Sequence, residues 1–212
     1  MVTRSLVAVS AGLGTPSSTR MLADRLASAT ADALGERGVE AGVRSVELRD
    51  VAHDVTDMML TGFAPSALRE VLDAVTGADG LVLVTPLFTT TYSGLFKSFV
   101  DVLDKDSLVD MPVLLGATGG TPRHSLALEY SVRPLFTYLR ADVATTSVFA
   151  ATDDWSGEAD AANPLPRRIQ RAGRELASLM ADGEKRRAAA PADPFESPVD
   201  FADLLAGLGG SR

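Results

Sequence analysis

The sequence contains no cysteine, which excludes disulfides, thiolate nucleophiles and cysteine-ligated metals at once. Histidine is scarce: His53 and His124 are the only two, far apart, so no pair has metal-ligand spacing and no metal site is assigned. An excess of positive charge is missing too. With 20 Lys and Arg against 28 Asp and Glu the formal charge is −8, and no basic stripe exists to neutralise phosphates, so no nucleic-acid partner is expected. No apolar run approaches the roughly 20 residues of a membrane span, and Ser5–Val9 is too short for a signal-peptide core. A soluble cytoplasmic protein with no membrane partner is the expectation. No Ser-His-Asp or paired-carboxylate constellation is present, and no catalytic side chain is assigned.

What is present is a regular alternation of apolar runs and helical patterns. Hydrophobic residues make up 46% of the 212, enough for the core of one sizeable domain. Ser5–Val9 reads as a buried strand of a parallel sheet. It runs into Ser10-Ala11-Gly12-Leu13-Gly14-Thr15-Pro16-Ser17-Ser18-Thr19-Arg20, a loop of small and hydroxyl-bearing residues that opens a helix. Such a loop can wrap an anion with backbone N–H groups, hydroxyls and the positive helix end, although Ser/Thr/Gly loops also serve as ordinary caps. The lysine of a P-loop is absent. The dinucleotide fingerprint fails as well, because Ser17 stands where the third glycine of G-x-G-x-x-G belongs. A hydroxyl-lined cradle suited to a phosphate monoester remains.

Ser17 or Ser18 caps the helix, whose Leu22, Leu26, Ala29 and Ala33 share one face, and Gly35 and Gly38 end it. Val43–Leu48 is a second, more polar strand near the sheet edge. Asp50–Ala64 reads as a polar loop, with Pro65 the first residue of a helix to about Thr76. Gly80–Thr85 is the strongest strand. Pro86 is expected to stop it, leaving Leu87–Ser93 as a loop before a helix over about Gly94–Leu103 that turns Leu95, Phe99, Val102 and Leu103 inward. Pro112–Ala117 is a fourth strand, ended by Thr118-Gly119-Gly120-Thr121-Pro122. A helix from about Ser125 keeps Leu128, Val132, Leu135 and Leu139 in register, with a kink or restart at Pro134. Ala144–Ala150 is the fifth strand, and a helix over about Pro166–Ala181 carries Ile169, Leu176 and Leu179. Residues 1–187 then form one domain, and residues 188–212 a linker and short amphipathic tail helix.

Five strand–helix repeats imply an α/β three-layer sandwich: a five-stranded parallel sheet with helices on both faces. In the flavodoxin-like order 2-1-3-4-5, strands one, three and four are neighbours. Their carboxyl ends, which carry the three glycine- and hydroxyl-rich loops, then line one crevice at the topological switch point.

The motif set resembles the NAD(P)H-dependent FMN reductase family. Ser10 with Ser17-x-Thr19 is similar to its flavin-phosphate loop, Thr85–Lys97 to its P-x-Y-…-S-G-x-L-K segment, and Thr118-Gly119-Gly120 to its third loop. The resemblance covers about residues 3–181. It is strongest to actinobacterial FMN reductases that partner luciferase-like monooxygenases, including the Pro122-Arg123-His124 and Asp154-Trp155 segments. Phe88 stands for the usual tyrosine, Phe96 for the leucine before Lys97, and Leu13-Gly14 where many relatives carry arginine.

The resemblance implies FMN at the switch point, with NADPH or NADH as reductant. Ser10, Ser17, Ser18 and Thr19 would hold the phosphate. Pro86, Leu87, Phe88, Thr89 and Thr91 would run along the ring, and Thr118, Gly119 and Gly120 would border it. Arg20 is either a further cation for the phosphate or a solvated helix residue; Trp155 covers the flavin of the neighbouring subunit or packs the last helix. Lys97 and Asp101 form a surface pair or cross a subunit interface, since a homodimer or dimer of dimers is implied. The function implied is hydride transfer to FMN and supply of reduced flavin to a monooxygenase. A quinone, azo-dye or chromate reductase holding its FMN is the second reading, and a flavodoxin-type electron carrier the non-enzyme one.

Overall fold

The computed structural model describes residues 2–155 and 165–189, with side chains through 181. The chain runs β1 (Val2–Ser10), α1 (Ser18–Gly35), β2 (Val39–Glu47), a 3-10 turn (Leu48–Val51), α2 (Ala52–Thr61), α3 (Ser66–Thr76) and β3 (Gly80–Phe88). There follow β4 (Thr91–Tyr92), α4 (Gly94–Asp101), β5 (Pro112–Gly119), α5 (Arg133–Tyr138), β6 (Asp142–Val143), β7 (Val148–Ala151) and α6 (Leu165–Ala189). The parallel path is β2-β1-β3-β5, and β6 and β7 both pair β5 as two pieces of one outer strand position. With that fifth position included, this is the flavodoxin-like order expected from the sequence, with β2 at the edge.

Strand alternation sorts the core into two layers. Leu6, Ala8, Val82, Val84 and Leu114 face α1 and α6, where Leu22, Leu26, Ile169 and Leu176 meet them. Val7, Val9, Leu81, Leu83, Val113 and Leu115 face the opposite layer, filled by Val55, Leu68, Phe96, Phe99 and Phe136. Helices α1 and α6 approach closely: a Cβ on Gly173 would lie 2.7 Å from the carbonyl carbon of Ala29.

Several elements depart from the sequence expectations. The stretch Asp50–Ala64 is not a loop, because the 3-10 turn and α2 occupy most of it. Leu48, Val51 and Val55 recur at helical spacing and are buried, a narrow apolar stripe within polar composition. Pro65 is the residue before α3 rather than its first. Strand β3 passes through Pro86 to Phe88. Its pairing with β1 ends at Val84 while β5 continues to Pro86, so the proline lies where one side of the strand is free and no ladder donor is required. In α4 the buried residues are Phe96, Phe99 and Val100, whereas Leu95, Val102 and Leu103 are half-buried.

The fifth strand is broken between Val143 and Val148. The Arg133 guanidinium donates to the carbonyls of Ala144 and Thr145, each at 3.1 Å, and Glu175 accepts from the Thr146 N–H and hydroxyl at 2.7 Å each. Side chains thus take backbone groups that a continuous ladder would have used. After Ser125 the chain forms a π-helical turn (Leu128–Val132), with the Arg133 N–H reaching the Leu128 carbonyl, and α5 restarts with Pro134 in its first turn. The proline has no N–H to give, so the restart falls where the sequence expects it. The tail helix expected over 197–205 lies outside the described residues.

Candidate functional site

Because every strand of the parallel path points the same way, the loops after β1, β3 and β5 emerge together. They enclose a cleft of about 560 Å³, within the size range of small-molecule and cofactor sites. Gly12, Leu13, Gly14, Pro16, Ser17, Ser18, Thr19 and Met21 form one wall. Pro86, Leu87 and Phe88 form the second and Thr118, Gly119 and Gly120 the third, with Thr152 and Trp155 closing the side after β7.

The first loop is fixed from within. The Ala11 N–H donates to the Val84 carbonyl at 2.9 Å, anchoring the inner limb to β3. Ser17 is the N-cap of α1, its hydroxyl accepting from the Arg20 N–H at 3.2 Å. Thr19 and Thr118, both buried, share a hydroxyl–hydroxyl bond of 2.9 Å, which ties the start of α1 to the end of β5 beneath the cleft. Gly12 nests under Ser17: a Cβ there would sit 2.1 Å from the Ser17 Oγ. The loop needs a glycine at 12 because the serine at 17 folds back over it.

Charge around the loop is already matched. Arg20 donates to Asp24 at 2.8 Å and to Glu47 at 3.0 Å, and the hydrogen bond to Asp24 holds its guanidinium above the ordinary value. Arg20 therefore belongs to a carboxylate network and does not line the cleft. Arg49, from the turn after β2, pairs with Glu47 at 3.0 Å and Asp50 at 3.6 Å and also bonds to the loop itself. The cradle thus offers hydroxyls and the N-terminal N–H groups of α1 without a free guanidinium in its lining.

The second wall is a hairpin. Leu87 pairs with Tyr92 and Phe88 with Thr91, and the two linking residues have positive φ, 50° at Thr89 and 76° at Thr90. This is a turn of the primed kind, normally given to Asn-Gly, and β-branched residues adopt it only under strain. The third wall owes its two glycines to different causes. A Cβ on Gly119 would press the Phe149 ring at 3.0 Å, while one on Gly120 would meet nothing within 4 Å. Large apolar side chains rim the mouth: Leu13 is 56% exposed, Met21 42% and Phe88 47%.

Of the residues expected to bind, Ser17, Ser18, Thr19, Pro86, Leu87, Phe88, Thr118, Gly119 and Gly120 come together on the cleft. Ser10 does not reach it: its buried hydroxyl donates to the Val46 carbonyl at 3.5 Å, across to β2. Thr89 and Thr91 belong to the hairpin tip beside Phe88 rather than to the lining. Met21 and Thr152 line the cleft beyond the expected residues, and Trp155, expected over a neighbouring subunit's flavin or against the last helix, lines the cleft of its own chain. Met21 is an exposed apolar residue off the buried Leu22/Leu26 face of α1. Trp155 also packs against the α1–α6 layer, and the Arg25 guanidinium lies 5.0 Å from its ring centroid. His124 stands in the 3-10 turn Pro122–His124 on the rim, outside the lining. Lys97 and Asp101 pair at 2.5 Å along α4. Among the described residues no cluster of His, Cys, Asp or Glu could hold a metal ion, and no helix is long and apolar enough to cross a membrane.

A doubly wound sheet with a hydroxyl-lined anion cradle at its switch point and an apolar rim above it defines the flavodoxin-like class of flavin-binding proteins. A sequence profile described as NADPH-dependent FMN reductase matches residues 5–156, and the chain belongs to that family. It is 36% identical over 177 residues to "FMN reductase (NADPH)" of Pseudomonas aeruginosa, covering 82% of this chain and 91% of that one. It is 33% identical over 175 residues to "NADH-dependent FMN reductase SfnF" of Pseudomonas fluorescens, with 82% and 91% covered. Among solved structures, an oxidoreductase from Corynebacterium diphtheriae superimposes with a TM-score of 0.81 at 44% identity, over 86% of this chain and 99% of that one.

Proposed function

We propose that this chain is an NAD(P)H:flavin oxidoreductase that reduces FMN with NADPH or NADH and supplies reduced flavin to a flavin-dependent monooxygenase. The observation that carries the reading is the convergence of Ser17–Thr19, Pro86–Phe88 and Thr118–Gly120 on one cleft. The residues fit FMN. A cradle of neutral donors at a helix N-terminus suits a phosphate ester, the Gly12–Ser17 fold leaves that cradle compact, and the apolar rim suits a flat ring.

Bound there, FMN would supply the hydride acceptor for a nicotinamide reductant, a transfer governed by placement. The protein's contribution is therefore positional. The hydroxyls of Ser17 and Ser18 and the first-turn N–H groups of α1 hold the phosphate, and the Thr19–Thr118 bond keeps that end in register with the third wall. The ends of β3 and β5 present backbone polar groups to the ring edge, while Gly120 leaves room for close approach. Leu13, Met21 and Phe88 exclude water from the faces. The relatives named for NADPH and for NADH both support a nicotinamide reductant. Delivery of the reduced flavin to a monooxygenase and a cytoplasmic location, where NAD(P)H is regenerated, are part of the same proposal.

We also infer a homodimer or dimer of dimers. Beside α4 and α5, Tyr130 is 78% and Tyr138 80% exposed, and Lys97, Asp101, Pro134 and Leu135 line a groove of about 390 Å³ between the helices. Apolar surface of this kind marks association.

Steady-state kinetics with FMN varied against NADPH and then NADH tests the activity. The expected result is saturable NAD(P)H oxidation that depends on added FMN. Absence of oxidation at every flavin concentration overturns the reading, and FMN that co-purifies and serves an added quinone turns it toward the quinone reductase.

A further inference from the structure

Leu13, Gly14, Thr15 and Pro16, the outer limb of the first loop, are exposed. Among the described residues the hydrogen bonds holding this limb come from one side chain outside the loop. The Arg49 guanidinium donates through Nη1 to the Gly14 carbonyl at 2.9 Å and to the Thr15 hydroxyl. Its other nitrogens are engaged behind the loop, Nη2 with Glu47 at 3.0 Å and Nε with Asp50 at 3.6 Å. Glu47 in turn receives Arg20 from the first turn of α1 at 3.0 Å. Strand β2, the loop and α1 are thus cross-braced through two guanidiniums and one carboxylate.

We infer that Arg49 is a positioning residue for the phosphate end of the flavin site; this rests on the FMN reading above. An anion site built from backbone must present N–H groups and turn carbonyl lone pairs away. Arg49 binds the Gly14 carbonyl on the β2 side, withdrawing that acceptor from a bound phosphate, and fixes the adjoining hydroxyl. The outer limb itself carries no cation, with Leu13-Gly14-Thr15-Pro16 along it, and the Arg49 guanidinium reaches that segment from the turn after β2. Its charge is balanced by Glu47 and Asp50, so it acts through the shape of the loop. Only a planar fork can satisfy four oxygens in different directions at once, so lysine is a partial substitute.

The test is flavin-fluorescence titration of the whole protein with FMN and with riboflavin, a readout that needs no turnover. Arg49→Ala should raise the Kd for FMN about tenfold, the loss of a charge-assisted hydrogen bond pair, and move riboflavin less than about twofold. Arg49→Lys should fall between, and Thr15→Ala should reproduce part of the FMN effect, which keeps the test open if the alanine variant folds poorly. Equal weakening of FMN and riboflavin, or no change in either, overturns the inference. Failure of the unmodified protein to oxidise NAD(P)H would instead strike the proposed activity while leaving the titration readable.

Discussion

At the scale of single residues, the first loop is a set of mutually dependent small choices. Gly12 exists because Ser17 Oγ occupies the space above it, and Ser17 is there because the α1 N-terminus needs a cap. Gly12→Ala would place a Cβ 2.1 Å from that oxygen and 3.1 Å from the Thr19 Cβ. The serine must rotate away, forfeiting a cap worth about 0.5–2 kcal/mol and opening the cradle. The expected outcome is a Tm lower by about 2–4 °C per kcal/mol lost and FMN affinity lower by at least roughly tenfold. Gly35→Ala, at the far end of α1, is the control, since a Cβ there would meet nothing within 4 Å. A Gly12→Ala protein that melts and binds as the parent does would show that Ser17 does not shape the site. The sequence made Ser17 legible as the failed third glycine, yet the reason for Gly12 lies in the fold-back of the chain, which spacing does not reveal. Ser10 illustrates the converse: a hydroxyl at a strand end looks available until β2 is alongside to accept from it.

At the scale of elements, the legible parts are those with strong periodicity, and the misjudged parts are those where side chains from afar rewrite local pattern. The strands follow from apolar runs and their order from the flavodoxin-like arrangement that brings the three glycine- and hydroxyl-rich loops together, but the break between β6 and β7 depends on Arg133 and Glu175, eleven or more residues distant. Burial by itself raises the Glu175 carboxyl, but the Thr146 hydroxyl and N–H and the Arg171 guanidinium outweigh it and hold the group below its ordinary value. A carboxyl depressed in the folded state adds stability above its unfolded value, about 4.3, and loses it as pH falls through the folded one. Glu175→Gln should therefore lower the Tm at pH 7, with a cost of about 1–3 kcal/mol from weakened contacts to Thr146. The gap between variant and parent should close as pH drops below about 4. A gap that stays constant from pH 7 to pH 3 would remove the carboxylate from the account of this break. The 3-10 turn and α2 escape the sequence pattern because the buried stripe they share, Leu48 and Val51 in the turn and Val55 in α2, is only one residue wide.

At the scale of the molecule, the cleft and the proposed association surface occupy different regions. The cleft lies at the carboxyl ends of the parallel strands, while Tyr130, Tyr138 and the groove beside Lys97 and Asp101 lie along the π-helical turn, α5 and α4. Among the described residues, Tyr138 lines the groove and not the cleft. A charge placed there should therefore separate the two properties. Tyr138→Glu puts a carboxylate on a residue now 80% exposed, at the lip of a groove formed with Pro134, Leu135 and Leu139. Burying an unpaired charge between subunits is strongly unfavourable. The parent should sediment at two or four times the 22.2 kDa of one chain, and the variant should move to the monomer. Flavin titration should then say whether the cleft is complete within one chain: retention of FMN affinity by the monomer assigns the whole phosphate cradle to a single subunit, whereas its loss would mean that a neighbour finishes the site. A parent that sediments as a monomer would overturn the assembly and leave the exposed tyrosines for another partner.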